Sequence, residues 1–118
     1  MNVLTLTGRL DSDPVRRETS RGVVCEFRLV VDGRPRLYLT VQTWGHLAGR
    51  CAQHLRASRH VAVIGSLCHE HWINRSGERA ERWYAKASNV SFLDRPSDFD
   101  DESSTSPQPI PETSDGRQ

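Results

Sequence analysis

The chain has 118 residues, 36% of them hydrophobic and 26% charged, which is material for one core and no more. No run of about 18 apolar residues occurs, so a spanning helix is excluded. Met1 to Leu10 alternates in polarity and lacks the basic flank and continuous apolar stretch of a secretory leader, so a cytoplasmic protein is expected.

The net charge of +1 conceals a division. Residues 1–93 carry 14 Lys and Arg against 8 Asp and Glu, a net +6, whereas residues 94–118 carry 2 against 7, a net −5. A basic body suits a polyanionic partner, and a detached acidic end suits a solvated or interacting tail. Cys25, Cys51 and Cys68 are odd in number and widely spaced, the pattern of free thiols in a reducing compartment.

In chain order, Leu4, Leu6 and Leu10 alternate with Thr5, Thr7 and Arg9, the period of a half-buried strand. Asp11-Ser12-Asp13-Pro14 and Gly22 are turn signals. From Val23 to Val31, Cys25, Phe27, Leu29 and Val31 alternate with Glu26 and Arg28, a second strand, and Asp32-Gly33-Arg34-Pro35 turns into a third. There Leu37, Leu39 and Val41 make the apolar face, which puts Tyr38, Thr40, Gln42 and Trp44 on the opposite, polar face. Leu47, Cys51 and Leu55, with Ala48 and Ala52 beside them, follow helical spacing and predict a helix of about ten residues. Val61, Val63 and Ile64 open a long fourth strand reaching Trp72 or Ile73, with a bend or bulge at Gly65. Asn74-Arg75-Ser76-Gly77 is a turn, and Arg79 to Leu93 forms the fifth strand.

Beyond this point the composition changes. Arg95 to Gln118 has four prolines and five serines, with Phe99 and Ile110 as its only large apolar residues, too little apolar surface to offset the entropy of ordering. The expected organisation is therefore a folded domain over residues 1–94 and a disordered acidic tail over residues 95–118. Three strands, a helix, then two strands is the element order of an all-β, five-stranded Greek-key barrel of the oligonucleotide-binding (OB) type, its one short helix lying between the third and fourth strands.

Specific residues carry a resemblance. Asn2-Val3, Leu6-Thr7-Gly8-Arg9-Leu10, Asp13-Pro14 with Arg16-Arg17, Trp44-Gly45-His46-Leu47-Ala48, Val61-Ala62-Val63-Ile64-Gly65-Ser66-Leu67 leading to Trp72, and Asn74-Arg75-Ser76-Gly77 stand in one order over residues 2–93. Together they resemble the bacterial single-stranded DNA-binding protein family. The resemblance implies an oligonucleotide-binding barrel, assembled as a homotetramer, that coats single-stranded DNA without catalysis. The physical requirements agree, since base stacking on an aromatic ring is worth about 1–3 kcal/mol for any base while nearby cations neutralise the backbone.

By position, Trp44 and Trp72 correspond to the family's stacking aromatics, and Tyr38 falls where a third ring is often found. Trp83 and Tyr84 lie along the same hairpin, facing either the groove or a neighbouring subunit. Arg9, Arg17, Arg56, Arg75, Arg79 and Arg82 are the candidate phosphate contacts. Three departures from the family stand out. The connection Asp32 to Arg36 is short and lacks an aromatic. Cys68, Glu70 and His71 replace residues that are often basic. The tail, acidic at Asp98 to Glu102, ends Ser114-Asp115-Gly116-Arg117-Gln118 without the acidic, hydrophobic tip that recruits replication and repair enzymes.

Other chemistries find less support. Cys51-x-x-His54 and Cys68-His69-x-His71 fit no standard zinc spacing, so no metal or other cofactor is expected. No nucleophile elbow, phosphate-binding glycine loop or metalloprotease helix is present, so no catalysis is expected. The rival within the same fold is a barrel serving as a protein–protein adaptor, as in primosomal relatives. If the −5 tail competes with nucleic acid for the +6 body, removing residues 97–118 tightens oligonucleotide binding at low ionic strength and has little effect at high salt. A salt titration of full-length and truncated protein checks this, and equal affinities at low salt would refute it.

Overall fold

A computed structural model describes residues 1–93; the tail expected over residues 95–118 lies outside the described residues. The elements are β1 (Leu4–Leu10), β2 (Val15–Thr19), β3 (Gly22–Val31), β4 (Leu37–Trp44), α1 (Gly45–His54), β5 (His60–Ile73) and β6 (Arg79–Phe92). Strands β3, β4, β6, β5 and β1 are neighbours in that order, and β1 returns to β3, which closes an OB-type barrel. All pairings are antiparallel except β4 with β6.

The barrel has one more strand than the five expected. β2 pairs with the first half of β3, Gly22 to Glu26, and β1 pairs with the second half, Leu29 to Val31. The two therefore run along the same edge of β3 as one barrel strand interrupted at Asp11–Pro14. Asp13 holds the interruption in place by accepting a 2.8 Å hydrogen bond from the Ala57 amide. β2 is almost wholly exposed, and its sequence Val-Arg-Arg-Glu-Thr has no period-two apolar signal, so pairing with β3 alone defines it.

Elsewhere period two holds. Leu10, Cys25, Phe27, Leu29, Val41, Val61, Val63, Ala85 and Val90 fill the barrel, and Leu4, Leu6 and Leu39 pack against them. Each large side chain buried in this way contributes about 1.5–3 kcal/mol. Leu37, expected on the apolar face, is 55% exposed, because it lies at the mouth of the barrel in the last pair of the β3–β4 ladder. The inward alternation of β4 continues to Thr43, which is fully buried and donates its hydroxyl to the Cys25 carbonyl at 2.8 Å. α1 packs chiefly against β3 and buries Ala48 and Cys51, with Leu55 following at its C-terminal cap, as the helical spacing predicts. Burial raises the thiol pKa of Cys25 and pushes that of Cys51 up to about 11. Cys25, Cys51 and Cys68 are all free thiols.

Closure depends on close backbone approaches. At Gly8, β1 is paired with Val31 on one side and Val61 on the other, and a Cβ there would collide with the Val30 carbonyl. At Gly65 the β5–β6 register shifts: Ile64 pairs with Asn89 and Gly65 with Ala87, leaving Ser88 as the bulged residue, its hydroxyl 3.1 Å from the Ile64 carbonyl oxygen. A Cβ at Gly65 would collide with the Lys86 carbonyl. Asn2 extends the β1 edge, its side chain donating to the Leu67 carbonyl at 2.8 Å and accepting from the Leu67 amide at 3.0 Å. At the β1–β3 seam, Asp32 accepts from the Thr7 hydroxyl at 2.8 Å and lies 2.8 Å from His60 Nε2. Those two hydrogen bonds, His60 first and Thr7 second, hold the Asp32 carboxyl below its ordinary pKa.

Two outcomes are expected in urea unfolding. Gly65→Ala destabilises by about 1–3 kcal/mol, since backbone rather than a mobile side chain must move; an unchanged midpoint would mean the bulge absorbs the methyl group. Asp32→Asn costs less than about 1 kcal/mol at neutral pH, because the pair is half-exposed. Asp32 has a depressed folded-state pKa, so its contribution is complete above its ordinary value of 3.8 and disappears as pH falls through the lower folded value. The wild-type and variant curves should converge there.

Candidate nucleic-acid interface

Residues directly opposite one another on paired strands point to the same side of the sheet, so the registers define rungs across the outside of the barrel. One rung is Arg9, Val30 and Tyr38, on β1, β3 and β4. Two residues along β3 comes Arg28, Thr40, Tyr84 and Cys68, crossing β3, β4, β6 and β5. The next is Val15, Glu26, Gln42, Lys86 and Ser66, starting on β2. The last is Arg17, Val24 and Trp44. Val24 is only 1% exposed yet stands outside the core cluster, a residue covered on the outer surface between Arg17 and Trp44.

Past the Cys68–Tyr84 pair, β5 and β6 continue as a two-stranded ribbon, paired among the described residues with each other alone. Glu70 with Arg82 and Trp72 with Ala80 keep the outer facing of Cys68 and Tyr84. Trp72 therefore stands four residues, about 13 Å, beyond Cys68. The turn that closes the ribbon is held by Asn74, whose side-chain oxygen accepts from the Ser76 and Glu78 amides at 2.9 and 3.0 Å, and Gly77 supplies the positive φ of 81°.

This face brings together Tyr38, Trp44, Trp72, Arg17 and Arg82, with Arg9 at one end. Tyr38 and Trp72 are 47% and 44% exposed, enough for a planar ring to lie on them. The Arg28 guanidinium sits 4.3 Å from the Tyr38 ring centroid and also contacts Asp11 at 3.2 Å. Trp44 is half-buried, and its indole N–H donates to Gln42 Oε1 at 2.8 Å. Gln42 in turn donates to Glu26 Oε2 at 2.8 Å, so the ring is oriented by a chain of side chains. Arg82 lies 4.9 Å from the Tyr84 centroid, 3.2 Å from Glu70 and 3.4 Å from Glu26. Burial works against the Arg82 charge, but Glu70 and Glu26 outweigh it and its pKa stands above the ordinary value. Burial, with Cys68 and Glu70 nearby, raises that of the Tyr84 phenol.

Arg9, at the end of the face, donates to the Ser58 carbonyl at 2.9 Å. The other candidates stand elsewhere. Arg56 follows α1, outside the rungs, and donates to the Leu55 carbonyl at 2.6 Å. Arg75 is exposed in the ribbon turn, and Arg79 is opposite Ile73 on the reverse face of the ribbon. That reverse face carries Trp83, 56% exposed and stacked on His69 at 4.2 Å, with His69 Nε2 2.7 Å from Glu81. Trp83 and Tyr84, adjacent in sequence, thus serve opposite faces. Arg28 and Lys86 complete the outer face without having been singled out from the sequence; Arg28 is legible by alternation on its strand, but its place beside Tyr38 depends on the β3–β4 register. Among the described residues, no three His, Cys, Asp or Glu side chains converge as a metal site.

The charges on this face are largely paired. Arg17, Arg28 and Arg82 each lie within 3.4 Å of a carboxylate. Ion pairs this exposed contribute about 0–1 kcal/mol each and exchange readily.

Comparison with known proteins places the chain. The model of the Single-strand binding protein family matches residues 1–93. A single-stranded DNA-binding protein of Caldanaerobacter subterraneus subsp. tengcongensis is 38% identical over 108 residues, covering 84% of this chain and 72% of that protein. One from Thermus aquaticus is 37% identical over 87 residues, covering 67% of this chain and 33% of the relative. Single-stranded DNA-binding protein 1 of Chlorobaculum tepidum is 33% identical over 91 residues, covering 67% and 56%. The chain thus spans a third to just over a half of the last two. With the matched segment coinciding with the whole barrel and its ribbon, this chain belongs to the single-strand binding protein family.

Proposed function

We propose that the chain coats single-stranded DNA without regard to sequence and without catalysing a reaction, using the outer face of the barrel and the ribbon as its track. The observation that carries this is the set of rungs placing Tyr38, Trp44, Tyr84 and Trp72 on one side of a continuous sheet, interleaved with Arg9, Arg17, Arg28, Arg82 and Lys86. Rings accept any base by stacking, and the cations between them meet the phosphates. Arg56, Arg75 and Arg79 contribute at the periphery. The processes served are replication, recombination or repair, in the cytoplasm on the nucleoid. The working unit is a homo-oligomer, a tetramer by family resemblance.

The paired state of Arg17, Arg28 and Arg82 favours a second reading, a barrel of the same family that acts as a protein–protein adaptor with little affinity for DNA. Titration with oligothymidine separates the two. A coating protein shows tryptophan quenching and an affinity that falls with salt, whereas an adaptor shows neither at micromolar protein. Trp44→Ala and Trp72→Ala are each expected to weaken binding about 5- to 150-fold, the equivalent of 1–3 kcal/mol of lost stacking. Unchanged affinity in both would remove these rings from the interface.

A further inference from the structure

We propose that Glu26 and Glu70 are built-in competitors for phosphate that occupy Arg17 and Arg82 in the free protein and set how tightly, and with what salt dependence, the face binds a polyanion. This rests on the DNA-coating reading above and names residues that tune the same site. Glu26 projects from β3 into the middle of the outer face, and its Oε2 meets three donors: Arg17 at 3.4 Å, Arg82 at 3.4 Å and the Gln42 amide at 2.8 Å. Glu70 stands directly across the ribbon from Arg82 and meets its Nε at 3.2 Å. One guanidinium is thus shared by carboxylates from β3 and β5, while one carboxylate oxygen takes guanidiniums from β2 and β6.

The geometry suits exchange rather than permanent locking. The four arginine–carboxylate distances on this face, counting Arg28–Asp11, are 3.2–3.4 Å, longer than the 2.7–2.9 Å of a tight charge-assisted hydrogen bond. Arg17, Arg82 and Glu70 retain side-chain exposures of 53%, 36% and 43%, so an incoming phosphate can reach them. Only Glu26, at 19%, is screened. A phosphate displacing either carboxylate leaves a negative charge beside it, so each carboxylate subtracts from the attraction even after displacement. Glu26 has a separable second duty, because its bond to Gln42 orients the Trp44 indole. Glutamine at position 26 keeps an acceptor for Gln42 while removing the charge, and Glu70 stands on the ribbon, outside the Glu26–Gln42–Trp44 chain of hydrogen bonds.

The experiment is a salt titration of oligothymidine binding to full-length wild type, Glu26→Gln, Glu70→Gln and Glu18→Gln, with folding of each followed by urea unfolding. Glu18 pairs with Arg16 at 3.1 Å on the alternate side of β2, so its replacement reports the effect of bulk charge alone. Each freed arginine adds roughly 0.7 to the slope of log affinity against log salt. The expectation for Glu26→Gln, which frees Arg17, is therefore a steeper slope by about that amount, with binding about eightfold tighter near 50 mM salt and about threefold tighter near 200 mM, while Glu70→Gln, which leaves Arg82 beside Glu26, changes slope and affinity in the same direction by a smaller amount. Glu18→Gln should leave the slope unchanged. If wild type binds but both variants match Glu18→Gln or bind more weakly, the competitor role is overturned while the coating function stands. If wild type fails to bind and either variant gains binding, the competitor role is supported in its strongest form. If no variant binds, the DNA-coating reading falls and the competitor role with it.

Discussion

The short parallel pairing of β4 with β6, Thr40 to Gln42 against Tyr84 to Lys86, is the constraint on which the interface depends. Before the chain reaches β6, β5 is held to the antiparallel β1–β2–β3–β4 array only through its pairing with β1, which leaves Trp72 of β5 unregistered against the rings Tyr38 and Trp44 of β4. Three parallel pairs weld β6, and with it the ribbon, onto β4 and make a single outer surface of both. Parallel strands need a long crossover, and here α1 and β5 provide it. The helix between β4 and β5 is therefore part of how the face is built. By burying Ala48, Cys51 and Leu55 beneath the barrel, it leaves the outer side of β4 uncovered.

The same closure explains the electrostatics. Carboxylates and guanidiniums far apart in sequence, Glu26 with Arg82 and Glu70 with Arg82, meet because β3, β4, β6 and β5 lie side by side. Net charge counted along the chain overstates the cationic character of the face, since three of its arginines have an acid partner in contact. What distinguishes the surface is the alternation of rings with weakly held charges, an arrangement that a flexible polyanion can reorganise at small cost.

Much of the interior was legible from alternation. Val61 and Val63 inward, Thr5 and Thr7 outward, the helix on Leu47, Cys51 and Leu55, and the bulge at Gly65 all follow from a period of 2 or 3.6 and from glycine's missing Cβ. β2 escaped because an exposed strand carries no apolar rhythm, and Leu37 keeps the expected face yet is exposed because alternation does not say where a strand leaves the core. At the site, the outward facing of Tyr38 and Trp44 was equally plain from their apolar neighbours Leu39 and Val41.

What one strand does to its own side chains is thus local chemistry, written in the order of residues: which ring faces out, which thiol is buried, where the chain turns. Which strand stands beside which is a matter of long-range hydrogen bonding, and no periodicity encodes a register between residues 40 and 84 or between 26 and 82. Only the closed barrel decided that Tyr84 joins Tyr38 and Trp44 while its neighbour Trp83 turns to the reverse face against His69. Only it decided that Arg17, Arg28 and Arg82 would each meet a carboxylate, because these ion pairs form between strands rather than along the chain.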